Sequence, residues 1–390
     1  MKYNKIQILA LPFLLLGLII SGCATTGVND NRIVINYSDG SVAVVATKTL
    51  ESIQEFDTDM SAITAGPDGR HIFMSNRDEG IIKVLDTGLN LNAKNSEPAI
   101  YDYSFTGEKP AHIVSNQGKT ALFFDGSGVV DLIDAKTLTS SNPQPIQTLN
   151  VIAHHGVAVP RTLGGMISST PPAEGVVGHG LITVDATNTQ KTIDAIIPKL
   201  HGEASATVKG DEYFAFGGEK LVYLYNDTKA IGSYLSLPDA NTDADVRVSS
   251  FASSHDSAYI IGNYASKSNP NLAKKIVVID VANQSLKTID LGTTYLSSFG
   301  HNGDNIASVI GTDGNLYIIN LANAEIMQTI SAMAPWTTGE NKNTPRIAHT
   351  DKELIVSDPT NNTLVAIDTK TYELRESTPF AKPIRFITAV

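Results

Sequence analysis

AYIIGN followed by VVID, residues 258–263 and 277–280, is the stretch that decides how the chain folds. VVID is an apolar-rich triplet closed by an aspartate. The phrase returns as KVLD (83–86), DLID (131–134), ITVD (182–185), YLYN (223–226), YIIN (317–320) and VAID (365–368). The mean spacing is about 47 residues, in the range of propeller blades. Each phrase is a β-rich run ended by a side chain that forms Asx-turns readily. A second apolar run stands before most of them: HIFMSN, TALFFD, YFAFGG, AYIIGN, IASVIG and ELIVSD. Ahead of that lies a third run, carrying AHIVS, HHGVAV, LHGEAS, SSFASS, LSSFGH or PRIAHT. A more polar fourth run closes most units, as in AIYDYSF, IGSYLSL and TYELRES. Inner strands apolar on both faces fit four-stranded sheets packed radially against their neighbours. No helical period is visible. The fold class is therefore all-β, a β-propeller.

The two ends of the repeat region explain each other. Residues 32–56, RIVINYSDGSVAVVATKTLESIQEF, read as the second, third and fourth strands of a blade lacking its first. The last residues, AKPIRFITAV, resemble the first-strand entry EKPAHIVSN, so the C-terminal strand is expected to complete the N-terminal blade. That composite brings the count to about eight blades, with seven as the alternative if one unit is irregular. Residues 32–390 then form a single propeller domain.

Residues 1–22 read as a secretory signal, with Lys2 and Lys5 ahead of an apolar stretch that runs into ISGC at 20–23. Ile20–Ser21–Gly22–Cys23 looks like a bacterial lipobox, with Cys23 the lipidated residue and 23–31 a polar tether. The expected location is periplasmic or cell-surface and membrane-anchored, and Ala24 rather than an aspartate favours the outer membrane of a Gram-negative cell. Loss of the two lysines takes the net charge from −11 to −13. So acidic a chain, with no basic run, is a poor partner for nucleic acid. Cys23 is the only cysteine, which leaves the mature chain without a disulfide or a thiolate metal site.

With the blades superposed, His155-Gly and His201-Gly occupy one position near the start of the first strand, and His112 falls there in the preceding blade. Other blades offer Ala62, Ser250, Ser298, Arg346 and Arg385 near it. First strands line the central channel, so three consecutive blades present imidazoles to one mouth. The second strand returns to the same end, where FFDGSG supplies Asp125. Three imidazoles and a carboxylate match a tetrahedral zinc site. His155 is the expected ligand of its pair, with His154 on the blade face or supporting it, and Glu203 replaces or assists Asp125. His71, His179, His255, His301 and His349 read as structural or loop histidines, which is the commoner role of a lone propeller histidine.

HHGVAVP, LHGEA and FFDGSG, each in its expected blade, resemble the AztD-type zinc metallochaperones. These are periplasmic propellers that hold zinc and pass it to the solute-binding protein of a zinc transporter. The resemblance extends over the folded part, including VSDP near Asp358. It implies Zn2+ as the bound ion, storage and transfer with no catalytic residues, a solute-binding protein as partner, and a monomer. Two features depart from the family. ATTGVNDNR lacks the His-rich N-terminal stretch that members often carry, and the lipobox replaces a diffusing protein by a tethered one.

Two competing readings carry their own signatures. A lactonase-like or other metal-dependent hydrolase needs an open coordination position and a nearby base, whereas four protein ligands leave none. The single Trp336 argues against quinoprotein propellers, which repeat a tryptophan motif. A surface scaffold would use loops such as PRTLGGMISSTPPAEGVVGHG (160–180), read as a long insertion that serves as a docking loop or as a lid over the mouth. DANTDAD (239–245) lacks the glycine and terminal glutamate of a calcium loop and reads as acidic surface.

Overall fold

Alternation inside the apolar runs explains how the sheets stack. In Ala121–Phe124, Leu122 and Phe124 pack toward the preceding sheet, while Ala121 and Phe123 pack toward the following one. Ile33 and Ile35 likewise face one neighbour and Val34 the other. A strand buried on both faces needs apolar residues at every position, which is why these runs are continuous instead of alternating with polar residues.

The computed structural model describes residues 31–390 apart from 91–92, 140, 256, 297 and 338–342. The segment read as a signal, Cys23 of the expected lipobox and most of the expected tether lie outside the described residues. Eight antiparallel four-stranded sheets form the blades of a β-propeller. We number as blade 1 the composite of Arg32–Tyr37, Val42–Ala46, Ser52–Phe56 and the C-terminal strand Ile384–Ala389. Blades 2 to 8 then span 62–106, 110–150, 158–193, 203–236, 251–290, 299–331 and 347–379. The seven-blade alternative is excluded. Eight apolar clusters fill the spaces between consecutive sheets, one per interface.

Closure takes the expected form. Ile384–Ala389 pairs antiparallel with Arg32–Tyr37, Val34 opposite Thr388 and Ile35 opposite Ile387. Ile384 and Ile387 also join the cluster between blades 8 and 1, so one strand supplies both ladder and core. The first strand of each blade is innermost, and most successive first strands touch around the channel.

The reading of 160–180 as an insertion is corrected. Met166–Thr170 is the second strand of blade 4, paired with Ala158–Pro160 on one side and Gly180–Val184 on the other. Ser168 and Ser169 lie fully buried in it, and these polar residues broke the apolar run that marks second strands elsewhere. Ser169 Oγ is held at 2.9 Å from Val157 N and 2.8 Å from His154 Nε2, which satisfies a hydroxyl in the core. Only residues 171–179 form the connection, and they run beside the chain at Ala153–His155. In DANTDAD, Asp239 accepts from Tyr264 and Lys275, and Asp243 from Ser266 and Ser268, so these acids brace loops.

Ile387→Ala should cost about 2–5 kcal/mol, the usual range for truncating a buried isoleucine. Deletion of residues 384–390 should go further and expose an unpaired edge that aggregates. Thermal unfolding checks both. A truncated protein that melts at the wild-type temperature would show that this strand does not hold the ring closed.

Candidate metal centre

Two glycines fix the imidazoles of blades 4 and 5. A methyl group at Gly156 would sit 2.7 Å from Ser169 Oγ and closer still to His154 Nε2, so only glycine lets the chain pass between them. Gly202 has φ +80°, and a side chain there would collide with the Ser249 carbonyl. That close approach is useful, because His201 Nδ1 donates to Ser249 O at 2.8 Å. The His-Gly pair is thus the local signature of an imidazole set at the channel mouth.

His112, His155 and His201 converge. Their ring centroids lie 5.1, 5.3 and 5.0 Å apart pairwise, a nearly equilateral triangle. Each offers a ring nitrogen within 4.8 Å of the others, and among the described residues this is the one such group of donors. His155 Nδ1 donates to Asp125 Oδ2 at 2.7 Å, while His155 Nε2 stands 3.0 Å from His201 Nε2. Both Nδ1 atoms are therefore committed as donors to oxygen. In the neutral rings the two Nε2 lone pairs then face each other, an arrangement that a shared proton or a metal ion between them relieves. The edge of a tetrahedron around zinc with imidazole ligands is about 3.3 Å, from Zn–N lengths near 2.0–2.1 Å. The His155–His201 pair, at 3.0 Å, stands close to that edge, and the His112 donor lies within 4.8 Å of both.

Asp125, expected as a fourth ligand, stands behind His155 instead of among the converging donors. Its Oδ2 is shared between His155 Nδ1 and Arg77, whose NH2 donates at 2.8 Å. A carboxylate in that position orients the ring and raises its basicity. Burial alone would push the Asp125 pKa up, but His155 and Arg77 together hold it below the usual value. Asp125 Oδ1 is buried without a partner among the described residues. Glu203 Oε1 lies 3.7 Å from His112 Nδ1, and Glu203 Oε2 is likewise buried and unpartnered.

The two carboxylates set the charge balance. Burial works against a charged His112, yet Glu203 and then Asp125 outweigh it and raise the His112 pKa. His201 moves the other way: burial dominates, the Ser249 carbonyl opposes it, and the neighbouring imidazoles depress the pKa further.

His154 is excluded from the donor set by its partners. Nδ1 meets Ile152 O at 2.7 Å and Nε2 meets Ser169 Oγ, with the ring edge-on to Phe123. Burial lowers its pKa. His71 is similarly engaged, with Asp68 and Tyr101, and His255 lies near Gln117. His301 and His349 end the first strands of blades 7 and 8, whereas His155 and His201 precede theirs. They line a separate cleft of about 630 Å³ with Asp304, Asp351 and Lys370. Arg77 escaped the sequence reading, although it follows the second strand of blade 2 where Asp125 follows that of blade 3. Comparing those two strand ends would have found it.

No family model matches the chain. A curated relative named zinc chaperone AztD, from Citrobacter koseri, is 27% identical over 318 residues, which covers 78% of this chain and 73% of the relative. The solved structure of apo AztD from the same organism superposes with a TM-score of 0.81 at 25% identity, over 93% of this chain and 98% of that one. The chain is similar to AztD in sequence and in fold. The dihydro-heme d1 dehydrogenase NirN shares the fold at a TM-score of 0.60 and 13% identity, over 92% of this chain and 74% of that one, so the architecture also serves enzymes.

Gly156→Ala should destabilise the protein by about 1–3 kcal/mol, as overpacking in a tight interior does. It should also disturb His154 and the adjacent His155. Denaturant unfolding measures the first effect. An unchanged midpoint would mean that residues 154–156 are not packed as described.

Proposed function

We propose that this chain is a zinc metallochaperone that holds Zn2+ at the channel mouth on His112, His155 and His201. The observation that carries the reading is the opposed pair of Nε2 atoms, 3.0 Å apart, each on a ring whose Nδ1 is already bonded to oxygen. The relationship to AztD supports zinc as the cargo. Asp125 orients His155, and Glu203 faces His112. With three imidazoles as the close donors, one corner of a tetrahedral ion is left for an incoming ligand. Such a corner suits handover, because a receiving side chain can bind before the imidazoles release. By family resemblance the receiver is the solute-binding protein of a zinc transporter, and no chemical turnover is required. The protein would work as a monomer outside the cytoplasm, anchored in the membrane through a lipid on Cys23.

The same open corner favours one second reading, a zinc hydrolase. Three histidines, a free corner and Glu203 as base, through its unpartnered Oε2, are its requirements. Ester or lactone hydrolysis by the zinc-loaded protein, abolished in Glu203→Gln, would replace the chaperone reading. Absence of zinc-dependent hydrolysis leaves it standing.

Competition titrations against a chromogenic chelator test the site. His112→Ala, His155→Ala and His201→Ala should each weaken zinc binding by more than the 10–100-fold typical of losing a supporting partner. Asp125→Asn should fall within that range, and His301→Ala and His349→Ala should change little. Affinity should decline as pH falls through the imidazole range, because protonated rings cannot coordinate. Arg77→Gln has the opposite sign. It frees Asp125 to accept from His155 alone and removes a nearby positive charge, so zinc should bind several-fold more tightly. Weaker binding in Arg77→Gln would show that the arginine serves the site by holding its shape. Equal losses in the two control variants would move the site elsewhere.

The anchor has its own test. Cys23→Ser should shift the protein from the membrane to the soluble fraction with zinc affinity unchanged. Equal membrane association of both forms would contradict the anchor.

A further inference from the structure

The histidine cluster occupies blades 3 to 5 at one end of the channel. At that same end, blades 8 and 1 carry cations instead. Arg346 directly precedes the first strand of blade 8, and Arg385 lies near the start of the closing strand of blade 1. Both guanidinium groups pack on one ring, Phe386, with Arg346 Cζ 4.6 Å and Arg385 Cζ 5.4 Å from its centroid.

Neither arginine has a carboxylate within ion-pair distance among the described residues. Arg70, Arg77, Arg161 and Arg375 each do. The chain has 40 acidic residues against 29 basic ones, so carboxylates are not scarce in general. The lack is local. Arg346 Nε is buried without any hydrogen-bond partner among the described residues. Ser298, at the matching position of blade 7, buries a hydroxyl that is likewise unpartnered. Burial, and then the charge of Arg385, lower the pKa of Arg346, so the pair is electrostatically unfavourable as it stands.

Blade geometry offers one acid to answer them, and it is engaged. Asp358 ends the second strand of blade 8, the place where Asp125 serves His155 in blade 3. Asp358 Oδ1 accepts from the backbone of Thr360 and Asn361, and Oδ2 from the Asn361 side chain. It closes its own turn and leaves the arginines alone.

We infer that Arg346 and Arg385, held on Phe386, form a binding site for a small oxyanion, a carboxylate or a phosphate, at the channel mouth. Planar guanidinium forks match such groups bidentately, and stacking on an aromatic ring fixes the forks without consuming their N–H donors. An occupying anion would neutralise the like-charge pair and supply an acceptor to the buried Nε. The inference stands on these residues and does not depend on zinc.

The test is calorimetric titration of the full chain with inorganic phosphate and, separately, with citrate, in a buffer free of other multivalent anions. The expected result is saturable one-site binding of at least one of them. Affinity should fall at least tenfold in Arg385→Gln and should be only partly retained in Arg385→Lys. Lys370→Gln, in the separate cleft lined by His301 and His349, serves as the control and should bind as wild type does. Which anion binds distinguishes the phosphate source from the carboxylate source. Arg346 is the more enclosed of the pair, and Arg385→Gln keeps the test valid if Arg346→Gln fails to fold. Absence of saturable binding of both anions to the wild type overturns the site. So does equal binding by wild type and Arg385→Gln, or an equal loss in Lys370→Gln.

Discussion

Everything in this molecule depends on the pairing of its last strand with its first. A blade with continuous apolar runs on its inner strands has two faces to bury, and a linear array would leave two of them in water. Pairing of Ile384–Ala389 with Arg32–Tyr37 converts the array into a ring in which each interface has its own apolar cluster. Each fully buried Ile, Val, Leu or Phe contributes about 1.5–3 kcal/mol relative to exposure, and conformational entropy takes most of that back. A closed ring therefore gains from having no uncovered end, more than from any single contact. It also fixes where the first strands stand, and so which side chains meet in the channel.

Function is written at one register of that ring. The position at the start of the first strand recurs eight times, and its neighbours along each strand are committed to core or ladder. Blades 3, 4 and 5 use it for imidazoles, and blades 8 and 1 use it for guanidiniums. The charges that surround it come from the ends of second strands, Arg77 in blade 2 and Asp125 in blade 3. On the proposed reading, metal affinity would be adjusted through a chain of contacts, Arg77 to Asp125 to His155, that begins outside the donor set. A chaperone needs such moderation, since a site that binds too tightly cannot release its cargo.

The fold was legible in the sequence because the apolar phrase and its closing Asp or Asn repeat at nearly constant spacing. Where that signal failed, the cause was chemical. Met166–Thr170 is a core strand built partly of serines, and Ser169 is tolerated there because His154 and Val157 satisfy its hydroxyl. The three converging histidines were legible from register alone. The place of Asp125 was not, because register puts it at the right end of the blade but does not say which partner takes its oxygens. That depends on Arg77, in another blade, and on which His155 nitrogen faces inward. Asp358, at the same position in blade 8, folds back into its own turn, which shows that equivalent positions need not share a role.

The central claim is that a zinc ion belongs between His112, His155 and His201. Anomalous diffraction collected on either side of the zinc absorption edge, from crystals grown with one equivalent of zinc, locates the ion directly. The account predicts a single strong peak about 2.0–2.1 Å from a ring nitrogen of each of these three histidines, with Asp125 still bonded to His155 Nδ1. A peak in the cleft lined by His301 and His349, or none at the channel mouth, would contradict it.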